Sequence, residues 1–175
     1  AALVMGVRQE IGIILFGIGV YLMVSRRHPW VGLALCVLSF SYVVFVTNII
    51  QPRFSPDVSR LYLAKRFPQF VDTDTPTTLQ VLWGMITRPI RLAEYLFFPI
   101  DRRLNYLAGH WVSLAFVPAI SGAAWIMAGF PLFALFAQTG QTALTIWLRY
   151  AVTVVPGMFY GAILWWERNA ARFTP

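Results

Sequence analysis

The side chains with chemical capacity are few, and most of them are basic. Arg53, Arg60, Lys65, Arg66, Arg88, Arg91, Arg102 and Arg103 all fall in the polar middle of the chain, Gln51 to Arg103. Guanidinium groups grip phosphate oxygens in bidentate fashion and stay charged when partly desolvated. Arg53, Arg88, Arg91, Arg102 and Arg103, with Arg149 and Tyr150 farther on, are therefore candidates for binding a lipid phosphate or a partner. The competing reading is that these long side chains snorkel to head groups and anchor the segment. Asp72 and Asp74 are the nearest approach to paired carboxylates; their turn, Val71-Asp72-Thr73-Asp74-Thr75, suits a general base, a divalent-metal ligand or plain solvation. Arg8 and Glu10 adjoin the first apolar run, where charges face a cavity or one another. Two residues apart on a helix they do not face each other, so they read as an intramembrane polar network with partners elsewhere. His28 belongs to a loop and His110 lacks metal-ligand company. No catalytic triad, phosphate-cradling glycine loop or zinc signature is present, so no catalytic residue, metal ligand or cofactor is assigned.

Hydrophobic residues make up 58% of the 175-residue chain and charged ones 12%, against roughly 45–50% and about 25% in soluble domains. A soluble fold of this length cannot hide that much apolar surface. The expected class is an all-α integral membrane protein, one embedded unit over residues 1–175. Crossings of about 20 residues each give about five transmembrane helices, between four and six. The net charge of +7 points to the lipid bilayer's anionic head groups or a phosphorylated lipid, and not to nucleic acid. Cys36 is the single cysteine, so neither a disulfide framework nor a cysteine metal site is available.

The apolar runs place spans at about 3–24, 31–50, 104–120, 122–137 and 144–166, with short interfacial helices in 51–103 between the second and third. Gly12 and Gly19 share one face of the first span, which lets a neighbour approach or serves packing alone. The connection Ser25-Arg26-Arg27-His28-Pro29 is short and basic, which assigns it to the cytoplasm and the polar middle to the extracytoplasmic or lumenal side. Within the middle, Ser55-Pro56-Asp57 opens a helix through Arg66. Thr75-Pro76 opens another, with Leu79, Leu82, Trp83 and Ile86 on one stripe up to Arg88-Pro89, and a third piece runs from Pro89 to Ile100. From Leu104 to Ala137 the apolar stretch exceeds one crossing, giving either two short helices in a tight hairpin or one span and a re-entrant piece.

Arg8-Gln9-Glu10 before a glycine-bearing span, the Arg26-Arg27 pair and the exit Val46-Thr47-Asn48-Ile49-Ile50-Gln51-Pro52-Arg53-Phe54 form a pattern. With Thr87-Arg88-Pro89, Leu104-Asn105-Tyr106-Leu107, Gly129-Phe130-Pro131-Leu132 and Val154-Val155-Pro156-Gly157, it resembles the membrane family DUF2079, its cyanobacterial members in particular. The resemblance implies part of a glycosyltransferase of the GT-C superfamily, taking sugar from a polyprenyl-phosphate carrier on the extracytoplasmic face. It also implies that the catalytic acid lies in an earlier outward loop, so that this chain is an N-terminally incomplete fragment. The competing function is a non-catalytic accessory subunit of a larger membrane complex, a photosynthetic one included, in the plasma membrane or the thylakoid. A transporter fits less well, since no internal repeat or pair of broken helices is seen.

Overall fold

The computed structural model describes residues 10–54, 63–139, 144 and 151–172. Among them every regular element is helical. Helix α1 (Glu10–Val24) turns back at Arg26, whose φ of 54° is left-handed, into α2 (Pro29–Phe45). Pro29 occupies the first turn of α2, where its missing N–H costs nothing. The two helices pack backbone to backbone: a Cβ on Gly12 would lie 2.5 Å from Val43 Cγ2, and one on Gly32 would lie 2.6 Å from the Gly19 carbonyl oxygen. Gly12 and Gly19 thus both face α2.

Without a break α2 widens into a π turn at Val46–Ile50 and continues as α3 (Gln51–Phe54). Carbonyls at the wide turn are covered by side chains: Thr47 Oγ1 donates to Val43 O at 2.8 Å and Asn48 Nδ2 to Val44 O at 2.9 Å. The continuous helix Pro29–Arg53 has 25 residues, about 38 Å at 1.5 Å per residue, more than the roughly 30 Å hydrocarbon core. Among the described residues it is the helix long and apolar enough to cross a membrane by itself; Glu10–Val24 and Gly122–Phe136 are apolar but shorter.

The polar middle is layered from short helices. Residues 63–66 and a 3-10 turn at Pro68–Phe70 precede α4 (Thr78–Thr87) and α5 (Pro89–Phe97). Helix α4 opens at Thr77, two residues beyond the expected Thr75-Pro76 start. There Thr77 Oγ1 accepts from Gln80 N at 3.3 Å and Gln80 Oε1 accepts from Thr77 N at 2.8 Å, a capping box. Val81, Gly84 and Met85 turn inward, Val81 and Met85 clustering with Phe70, while Leu79, Trp83 and Ile86 of the expected stripe are exposed. The start expected at Ser55-Pro56-Asp57 lies outside the described residues.

After a cis Phe98–Pro99 peptide, α6 (Ile100–Val112) leads through a turn to α7 (Val117–Ile120) and α8 (Gly122–Phe136). The span expected at 104–120 is therefore not one helix. Its 13-residue helix is about 20 Å long and stops where Ala115 and Phe116 take left-handed φ of 49° and 61°. Helices α6 and α8 run antiparallel, with Tyr106 and Phe136 rings 6.1 Å apart at one end and Trp111 and Trp125 rings 5.8 Å apart at the other. Of the two readings of that stretch, the structure has the hairpin. The last helix, α9 (Val155–Asn169), lies against α8 where Gly157 meets Ala128 and Gly161 meets Ala124. It starts later than the expected 144–166 span, of which 145–150 lie outside the described residues.

Candidate functional site

The sequence-predicted basic residues separate into distinct settings. Arg103 is turned into the protein with 6% of its surface exposed. Its Nε donates to Leu96 O at 2.7 Å, Nη1 to Pro99 O at 3.2 Å and Nη2 to the carbonyls of Tyr95 and Phe136. Burial draws its pKa below the ordinary guanidinium value, with Asp101 opposing. This arginine is a clamp on backbone carbonyls. Arg102, one residue and about 100° away around the helix, is exposed, as are Arg53 and Arg91.

Arg88 and Arg91 come together. With Asp72, Thr87, Pro89 and Ile90 they line an open depression of about 460 Å³ beside the start of α5. Arg88 Nη2 reaches Asp72 Oδ2 at 2.5 Å and its Nη1 donates to Gln69 O at 3.2 Å, so part of its donor capacity is already used. Asp72 serves as this ion-pair partner, and Asp74 is exposed. Among the described residues no three His, Cys, Asp or Glu side chains group as metal ligands. Arg8, Arg60, Arg149 and Tyr150 lie outside the described residues.

A second feature was not legible in the sequence. Helices α1, α2, α4 and α8, with residues 63–67, enclose a groove of about 690 Å³, within the roughly 300–1,000 Å³ typical of small-molecule sites. Its walls are almost wholly apolar: Ile13, Phe16 and Val20 from α1, Phe40 and Val43 from α2, Val81 and Met85 from α4, Trp125, Ile126 and Phe130 from α8. Most of its polar lining collects at one end, Ser39 and Thr153 lying apart from it, and the packing shows why. Gly12 faces Val43, which sets Glu10 about level with Phe45, within one turn of Thr47. The Phe16 and Phe130 rings lie 4.7 Å apart and Tyr21 clusters with Ala123, so α8 runs antiparallel to α1 and Gln138 comes to the Glu10 end. Thr47 Oγ1 and Thr78 Oγ1 share a hydrogen bond of 2.6 Å, and Thr139 N donates to Arg66 O at 3.1 Å. Glu10, Thr47, Arg66, Thr78 and Gln138 thus head the groove, whereas Val20 and Trp125 close its foot. From Glu10 to Val20 the wall is about 15 Å long at 1.5 Å per residue. Farther down the wall, about 12 Å along the helix from Thr47, Ser39 is wholly buried and its Oγ has no hydrogen-bond partner.

Of the expected polar network, Glu10 lines this groove, and Arg8 lies outside the described residues. Only the apolar runs that form its walls hinted at the groove, because its head draws on segments far apart in sequence.

No curated protein and no solved structure matches the chain. The model of a family described as predicted membrane protein, DUF2079, matches residues 1–174, and the chain belongs to that family of membrane proteins.

Proposed function

We propose that this chain is the carrier-holding part of a GT-C-like glycosyltransferase that uses a polyprenyl-phosphate-linked sugar. The observation that supports it is the groove: apolar along its length and polar at one end, it has the form of a site for a single amphiphile. The exposed arginines Arg53, Arg91 and Arg102 suit the phosphate-rich zone of a membrane interface, where Trp83, Ile86, Ile90, Phe97 and Phe98, all exposed, dip toward the acyl chains. In this reading residues 51–103 lie on the extracytoplasmic side, and α1, α8 and α9 accompany α2 through the bilayer. The test is retention of a radiolabelled polyprenyl-phospho-sugar by the intact protein in nanodiscs, followed by sugar transfer to a membrane extract. Retention no better than that of phosphatidylglycerol would sink the proposal.

A second reading, a non-catalytic subunit of a larger membrane complex, is favoured by the bareness of α2, which exposes Trp30, Val37, Leu38 and Phe45 along its length. Cross-linking in native membranes from positions on that face separates the two, since a subunit gives one defined protein adduct and a lipid-facing helix gives none.

A further inference from the structure

The open depression beside the start of α5 shares no lining residue with the groove, and its own residues offer donors, acceptors and apolar surface side by side. Arg91 is exposed and has no hydrogen-bond or ion-pair partner among the described residues. A guanidinium has five donor hydrogens; Arg88 uses two, on Asp72 Oδ2 and Gln69 O. The Asp72 side chain is 80% exposed, and a carboxylate has about four acceptor positions, of which Arg88 takes one. Thr87 Oγ1 gives its proton to Trp83 O at 2.9 Å and keeps lone pairs that accept. Two guanidiniums against one carboxylate leave the lining with a single net positive charge. Ile90, which also lines the depression, is 84% exposed, and Ile86 and Trp83 of the preceding helix are 70% and 68% exposed.

We infer that this depression holds the head group of a bilayer phospholipid with one negative charge and terminal hydroxyls, of the phosphatidylglycerol type. A phosphodiester brings the one negative charge that matches the lining, and Arg91 and Arg88 grip its oxygens. A phosphate monoester, with about one and a half to two negative charges near neutrality, exceeds that match beside Asp72. Phosphatidylcholine has the phosphodiester but is neutral overall, and its choline has no N–H or O–H to give. Glycerol hydroxyls donate to Asp72 and Thr87, while the acyl chains lie along Ile90, Ile86 and Trp83. The inference goes beyond the carrier reading and does not rest on it, since the two places have no residue in common.

The experiment titrates the intact, delipidated protein in detergent with phosphatidylglycerol, phosphatidylcholine, phosphatidic acid and glycerophosphoglycerol, the same head without acyl chains, and reads occupancy by native mass spectrometry. Phosphatidylglycerol should bind about tenfold tighter than phosphatidylcholine, the size of one hydrogen bond to a charged group. Arg91→Gln should weaken phosphatidylglycerol about fivefold, whereas Arg102→Gln, which removes the same charge from an exposed arginine outside the depression, should leave it unchanged. Asp72→Asn should shift the preference about threefold toward phosphatidic acid. Ile90→Ser should weaken phosphatidylglycerol about threefold and leave glycerophosphoglycerol as it was. Far-UV circular dichroism confirms that each variant is folded. Equal losses in Arg91→Gln and Arg102→Gln would mean general attraction to a basic surface and would refute the site. Glycerophosphoglycerol binding as tightly as phosphatidylglycerol would refute a lipid occupant, and phosphatidylcholine binding as tightly would refute recognition of the head group. Carrier retention in the groove should be the same in Arg91→Gln as in the parent, so failure here leaves the carrier reading standing.

Discussion

Replacing Arg103 by methionine separates a structural arginine from a ligand-binding one. The side chain donates to four carbonyls, those of Tyr95, Leu96, Pro99 and Phe136. Tyr95 and Leu96 lie in the last turn of α5 and Phe136 ends α8, positions whose carbonyls have no intrahelical donor. One guanidinium thereby caps two helices, with its Cζ 5.6 Å from the Phe136 ring centroid. Hydrogen bonds from a charged donor contribute about 1.5–3 kcal/mol each. The sum overstates the loss, because methionine avoids several kcal/mol of guanidinium desolvation. A net destabilisation of about 3–5 kcal/mol remains, because helix-end carbonyls are left without donors at about 1–3 kcal/mol each. At about 2–4 °C per kcal/mol for a chain of this size, Arg103→Met should melt at least 6 °C or so below the parent in detergent, followed by far-UV circular dichroism of the intact protein. Arg103→Lys keeps the charge but not the fork, and should fall between. The reasoning fails if Arg103→Met melts within about 1 °C of the parent. A phosphate ligand would behave in the opposite way, with equal melting in the absence of lipid and loss of the stabilisation that added polyprenyl phosphate gives the parent.

Three further substitutions probe the layer around it. Gly84→Ala drives a methyl group into the Phe70 carbonyl, whose carbon lies 2.9 Å from the Cβ position; it should cost about 2–4 kcal/mol and speed proteolysis between residues 63 and 87. Thr77→Ala removes the capping box and should cost about 1 kcal/mol, seen as roughly fivefold faster amide exchange in the first turn of α4. Asp72→Asn breaks the 2.5 Å pair with Arg88, but the Asp72 side chain is 80% exposed, so stability should stay within about 0.5 kcal/mol; a larger loss would mean that the pair holds the Pro68–Phe70 turn in place.

Apolar periodicity revealed α1, α2 and α8 because their backbones satisfy themselves and their glycines announce close packing. The sequence also showed that Gln51 to Arg103 breaks into short helices, since proline stops are local signals. It misplaced the span at 104–120 for a physical reason. Ala115 and Phe116, the residues that reverse the chain, are neither glycine nor asparagine, and only Pro118 hinted that the helix ends before it. Arg102 and Arg103 looked alike as a basic pair, although successive helical positions point about 100° apart and only one can face water. The groove head was hidden for another reason: Glu10, Arg66 and Gln138 belong to three separate segments, and nothing in local pattern reports that α8 runs antiparallel to α1.

The π turn at Val46–Ile50 acts as a phase shifter within the long helix. One additional residue in a turn rotates everything beyond it by about 100°, while the rod itself stays unbroken from Pro29 to Arg53. Its two polar residues hold the middle layer, Thr47 through the Thr78 hydroxyl and Asn48 through the Thr78 amide at 3.3 Å. Deleting a single residue between Val46 and Ile50 would restore regular α-helical hydrogen bonding and so leave the rod as strong as before. It would also swing Gln51–Phe54 and Arg53 about a quarter of a turn, putting them out of step with α4. The length of the membrane helix and the azimuth at which the polar middle attaches to it are thus set independently, the second by the width of one turn.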